Sequence, residues 1–284
     1  LLNRRLIVLL TGLCLVGLLI GCAMPAATPP APTAPPSLPG TAAPTAPPSA
    51  LDALFGPLDT WEALAPGLER RLYRPDAANS LTQMIALRID PAQYAFRAHY
   101  RPGQPLTAQQ WSEQLPDAVA IINANFFTRE NTVLGLLVTD GAVHGQTYID
   151  QGGMFSVQGG TPRLQALTTQ PYDGSPLEQA VQAFPNLVIA GSPAPITAPG
   201  DRVTRRSVIG QDAGGNIILM ATPFLGLELI PLAAYLASTD MNFTNAFNLD
   251  GGGSTLMVAE VDGTAQVLVT SLDAVPIVLA VYRR

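Results

Sequence analysis

Between Leu81 and Tyr282 the chain is cut into apolar runs too short for long helices. AVAIIN (118–123), NLVIA (186–190), SVIGQ (207–211) and NIILMAT (216–222) each end at Gly, Pro, Asn or Asp. Short continuous apolar runs bounded by turn formers read as buried strands. Two pairs of runs flank hairpin signals. GLLVT (135–139) and AVHG (142–145) enclose Asp140-Gly141, and MFSVQ (154–158) and RLQAL (163–167) enclose Gly159-Gly160. SVIGQ and NIILMAT are predicted to pair across Ala213-Gly214-Gly215.

Helix signals are few. Thr107 with Gln110 three residues later forms a capping-box pattern over TAQQWSEQL (107–115). Ser175-Pro176-Leu177-Glu178 predicts a second capped helix, with Pro at its first position. LELIPLAAYLAS (227–238) has helical spacing and a Pro231 that suits a first turn. Further strands are expected from LTQMIALRID and QYAFRAHY on either side of Asp90-Pro91, and over 246–249, 255–260, 266–270 and 277–282. Many strands, few helices and no strict βαβ alternation predict an α+β fold. The sheet should be mixed and mainly antiparallel, with flanking helices, in a single domain.

The first fifty residues do not share this pattern. Arg4 and Arg5 precede a nearly unbroken apolar run from Leu6 to Ile20, which reads as a secretory signal. It ends Leu19-Ile20-Gly21-Cys22, which resembles the lipobox of bacterial lipoproteins and implies lipidation at Cys22. Residues 23–50 are Pro, Ala, Thr and Ser with little else and no charge, a composition that favours an extended tether. The predicted organisation is therefore a signal over 1–22, a tether over 23–50 and a domain over 51–284, located at the envelope and anchored through lipid.

The other cysteine, Cys14, falls within the predicted signal, so the exported domain has no disulfide to form. Beyond residue 50 there are 13 Arg, no Lys and 21 acids (15 less Arg4 and Arg5, minus 21, or −8). That balance argues against a nucleic-acid partner, which calls for a basic footprint. His99 and His144 are too few for a His-rich metal site. No cofactor is expected, although a metal held by carboxylates stays open.

Three stretches carry chemistry. Asn248-Leu249-Asp250-Gly251-Gly252-Gly253-Ser254-Thr255 interrupts two strand-like runs. It lacks the GxGxxG of a dinucleotide site and the Lys of a P-loop. Asp250 followed by side-chain-free amides could form an anion-binding nest, with Ser254 and Thr255 as added donors. A tight turn that needs glycine at positive φ is the plain alternative. Arg205-Arg206 adjoin a strand, where alternation sends them to opposite faces. A guanidinium facing a cleft would bind phosphate or carboxylate through two parallel bonds. Asn123, at the end of AVAIIN, is followed by Asn125 and by Phe126-Phe127, a polar group beside a possible aromatic wall.

In order and character, INANFF, LGLLVTDG, RRSVIG and FNLDGGGST resemble the phosphodiester glycosidase family, best from about Ala118 to the C-terminus. The resemblance implies hydrolysis of a sugar–phosphate linkage at the anomeric carbon. It implies that Asp250 with Gly251, Gly252 and Gly253 forms the signature loop, that Arg206-Ser207 is the Arg-Ser/Thr pair, with Arg206 and the glycine amides able to hold the phosphate, and that Asn123 and Phe126 line the site. Asn125 departs from the small residue common there. Asp250 could serve as base toward water, as nucleophile or as a group orienting the sugar. A second carboxylate is not evident; Glu228, Asp240 and Asp212 are all candidates. The expected partners are a glycan or sugar-phosphate substrate and, through lipid, a membrane. A non-catalytic module binding sugar phosphates is the competing expectation, with a purely structural envelope lipoprotein behind it.

Overall fold

The computed structural model describes residues 55–148, 151–197 and 201–284, all within one compact unit, Pro47–Arg284. The predicted signal, Cys22 and the tether lie outside the described residues. Among those described, no helix is long and apolar enough to cross a membrane.

The chain runs through β1 (Glu62–Ala65), β2 (Leu68–Tyr73), β3 (Met84–Ile89) and β4 (Tyr94–Tyr100) into helix α1 (Ala108–Gln114) and β5 (Ala120–Asn123). Two hairpins follow: β6 (Leu137–Thr139) with β7 (Ala142–His144), and β8 (Gly153–Gln158) with β9 (Thr161–Ala166). Then come β10 (Gln179–Ala183), β11 (Asn186–Ile189), β12 (Ser192–Pro193), β13 (Ser207–Asp212), β14 (Ile217–Ala221) and helix α2 (Leu229–Ser238). The chain ends with β15 (Phe243–Asn248), β16 (Met257–Val261), β17 (Thr264–Val269) and β18 (Ile277–Arg283).

These strands make three antiparallel sheets. One has eight strands in the order β1-β2-β3-β14-β13-β15-β11-β12; two have five, β7-β6-β10-β8-β9 and β17-β16-β5-β18-β4. The fold is α+β, as the scarcity of helix signals predicted. Continuous apolar runs follow from burial on both faces of a strand. In β14, Ile217, Leu219 and Ala221 enter a central core built from all three sheets, while Ile218 and Met220 face α2. In β18, Ile277, Leu279 and Val281 enter the same core, and Val278 and Ala280 face α1 and its buried Trp111. Each helix seals the outer face of one sheet.

The capping box at Thr107 forms as expected, with Gln110 N donating to Thr107 Oγ1 and Thr107 N to Gln110 Oε1. The helix predicted from Ser175 does not form. Residues 179–183 are instead strand β10, central in its sheet and wholly buried. Its two glutamines bond to backbone at a distance from them in sequence. Gln179 Oε1 accepts from Ala98 N (3.0 Å), and Gln182 Oε1 accepts from Leu136 N (2.9 Å) and Tyr148 N (3.0 Å). Such long-range contacts override a local cap signal.

Candidate active site

The glycine loop is where the chain leaves the eight-stranded sheet at the end of β15 and joins a five-stranded sheet at β16. A strand-forming sequence stops there because it must change sheets. Asn123, at the end of β5, pins the crossing. Its Nδ2 donates to Asp250 O (2.6 Å), and its Oδ1 accepts from Ser207 Oγ (2.6 Å) and Leu256 N (3.1 Å). Asp250 N in turn donates to Ala124 O (3.0 Å). One buried amide thus joins β5, β13 and both ends of the loop. Asn123 and Ser207 are buried and spent on one another, so neither presents the substrate-facing group that the sequence suggested.

Each glycine has its own reason. A Cβ on Gly251 would lie 2.7 Å from Arg205 O. Gly252 has φ +61°, a left-handed conformation that L side chains seldom adopt. A Cβ on Gly253 would overlap the Asp273 carboxylate. The loop is not an open nest of amides. Gly251 N donates to Asp250 Oδ1 (2.9 Å), Gly252 N to Arg205 O (2.8 Å), and Ser254 N to Gly251 O (3.2 Å). Among the described residues, only Gly253 of the three glycines has an amide without an internal acceptor. Thr255, expected as a donor, is fully buried with its hydroxyl unpartnered.

The two arginines part as strand alternation requires, but it is Arg205, not the expected Arg206, that meets the glycine loop. Arg206 is buried. Its Nε donates to Leu227 O (2.8 Å), and its Nη2 to Asp201 Oδ1 (2.9 Å) and Arg202 O (2.9 Å). Asp201 also accepts from Leu229 N (2.6 Å), so this ion pair seats the start of α2 rather than holding out a free fork. Arg205 lies on the glycine loop, its Nε donating to Gly252 O (3.0 Å), Nη2 to Gly253 O (3.3 Å) and Nη1 to Thr270 O (2.8 Å). It is half-buried, and desolvation lowers its pKa against the opposing pull of Asp273. A guanidinium has five N–H donors, so two are left over.

Asp250 is half-buried, and loss of water raises its pKa to about 6. Hydrogen bonds from Ser254 and Gly251 N oppose that rise, and Asp273 adds to it. The carboxylates considered from sequence are engaged elsewhere or not held. Asp240 pairs with Arg71 (2.7 Å) and accepts from Tyr73 Oη (3.1 Å), Asp212 binds Asn216 in the β13–β14 turn, and Glu228 sits exposed before α2. Asp273 was missed because it stands in a short loop with no motif around it; only the three-dimensional overlap with Gly253 reveals it.

An aromatic group borders the crossing. Phe126, half-buried, meets Phe184 at 4.8 Å between ring centroids, and Tyr148 meets Phe184 edge-on at 5.4 Å. Phe184 O accepts from Asn248 Nδ2 (3.2 Å), which ties this group to the end of β15. Asn125 is buried beneath, its Nδ2 shared among the carbonyls of Leu134, Leu136 and Gln182. A cavity of about 650 Å³ lined by Arg97, Asp140, Glu178 and Arg284 shares no residue with the glycine loop, so volume alone would point elsewhere. Among the described residues there is no cluster of three or more His, Cys, Asp or Glu that could hold a metal.

A model of the phosphodiester glycosidase family matches residues 116–282, more than half of the 284. The chain belongs to that family. Comparison with curated protein sequences gives no match. Among solved structures, this family member is similar to the catalytic domain of zebrafish N-acetylglucosamine-1-phosphodiester alpha-N-acetylglucosaminidase, there auto-inhibited by its pro-peptide. That likeness has 18% identity and a TM-score of 0.58, over 78% of this chain and 86% of the other. It is also similar to a hypothetical protein from Synechocystis, with 16% identity, a TM-score of 0.56, and 76% and 62% coverage. A Burkholderia pseudomallei protein described as exported shows 15% identity, a TM-score of 0.55, and 70% and 74% coverage. At such identities the likeness is one of fold.

Proposed function

We propose that this chain is an exported, lipid-anchored hydrolase that cleaves a sugar-1-phosphodiester bond in envelope or extracellular glycans. The observation that carries the reading is Asp250, a desolvated carboxylate with a pKa near 6 in the signature loop of the family. Enzymes poise bases in this way near their working pH. In its ionised form Asp250 takes a proton from water as the water oxygen bonds to the anomeric carbon. The bond from that carbon to the phosphate oxygen breaks, and the electron pair leaves on the phosphate. The spare N–H groups of Arg205 and the Gly253 amide meet that charge, and Phe126 with Phe184 gives the sugar an apolar wall. Arg206, Asn123 and Ser207 act behind this surface by fixing its loops.

The test is release of free sugar from synthetic sugar-1-phosphodiesters by the purified chain, with Asp250→Asn and Arg205→Ala beside it. Both variants should bind more weakly or turn over at least tenfold slower. Tight binding of sugar phosphates without release by the wild type would leave a binding module instead.

A further inference from the structure

Residues 270–274, between β17 and β18, lie against the glycine loop. Leu272 N and Asp273 N both donate to Gly253 O (2.7 and 3.0 Å), and Arg205 Nη1 clamps Thr270 O (2.8 Å). This backbone lock brings the Asp273 carboxylate to the place that a side chain on Gly253 would fill. Asp273 is exposed, so one carboxylate reaches solvent where the other is half-buried. The charged groups facing Asp250 are few: Asp273 from this loop and, beyond the loop carbonyls, Arg205 from the segment before β13. From β5 comes only the neutral Asn123, bonded to the Asp250 carbonyl.

We propose that Asp273 is the second carboxylate of this site, a positioning residue that acts by its charge on Asp250, and that position 253 is glycine to admit it. The inference rests on Asp250 being the base. A like charge nearby makes Asp250 hold its proton to higher pH, in the same direction as burial. The base is then stronger once ionised, and its ionisation falls within the neutral range. A methyl group on Gly253 would displace the Asp273 carboxylate, so the two acids can be separated without removing either.

The experiment compares full-length wild type, Asp273→Asn and Gly253→Ala by pH–rate profile and by carboxyl-carbon NMR titration of Asp250. The acid limb should move to lower pH in both variants, with the ratio of rates at pH 5 and pH 8 rising about threefold. The Asp250 resonance should titrate lower in step. A uniform fall in rate, with the limb and the titration both unmoved, overturns the proposal and makes Asp273 a mere prop of the loop. If the wild type hydrolyses no sugar phosphodiester, the functional reading fails while the titration alone still decides whether the two carboxylates are coupled.

Discussion

Asp250 weakens the fold in order to hold its proton. Its pKa is raised from 3.8 to about 6, so the folded state binds the extra proton between those values. Stability linked to this group is full below about pH 4 and is lost as pH rises through 6. Asp250→Asn should therefore stabilise the protein at pH 8 by up to about 3 kcal/mol, and should be neutral at pH 3.5. Thermal unfolding at the two pH values checks this, and a variant less stable at pH 8 would contradict it. Asn123 is the opposite case. Asn123→Ala strips partners from buried Ser207 Oγ and Leu256 N and releases Asp250 O, so a loss of about 2–4 kcal/mol is expected. Activity should fall with it, although no atom of Asn123 needs to touch substrate.

At the scale of elements, the Arg206–Asp201 pair shows what sequence can and cannot give. That neighbouring arginines would face opposite ways follows from strand geometry, and they do. Which one meets the glycine loop depends on the path of residues 201–205 and on α2, neither of which alternation specifies. Arg206→Lys should act through stability, because it breaks a buried pair and two carbonyl bonds. A loss of about 3–5 kcal/mol is expected, with KM little changed in whatever remains folded. A folded variant with sharply raised KM would return Arg206 to the phosphate. Most strands from β3 onward and the Thr107 cap, though not β1 or β2, were legible because their signals are local. Strand β10 was not: Ser175-Pro176 imitates a helix start, and the decisive partners of Gln179 and Gln182 lie 81 and 46 residues away. Asp273 was hidden for the same reason, since Gly253 explains itself only when the loop at 270–274 folds back on it.

At the scale of the molecule, three sheets share one core, and the signature loop is a seam between two of them. A seam is a sound place for a reactive carboxylate, because β5, β13, β15 and β16 hold it from several sides while the loop itself stays half-exposed. The same fact makes the seam fragile. Gly252→Val places a β-branched residue at φ +61°, so a loss of about 1–2 kcal/mol or more is expected along with activity. Residues 23–50 have a composition with no charge and too little apolar surface to add to a core. Deleting them should leave the unfolding midpoint within about 1 °C, because a protein of this size shifts about 2–4 °C per kcal/mol. Hydrolysis of a soluble substrate should also be unchanged, while Cys22→Ser should release the chain from membranes, since an acyl anchor gains about 0.8 kcal/mol per buried methylene. A midpoint lowered by several degrees would mean that the tether packs on the domain and does more than span a distance.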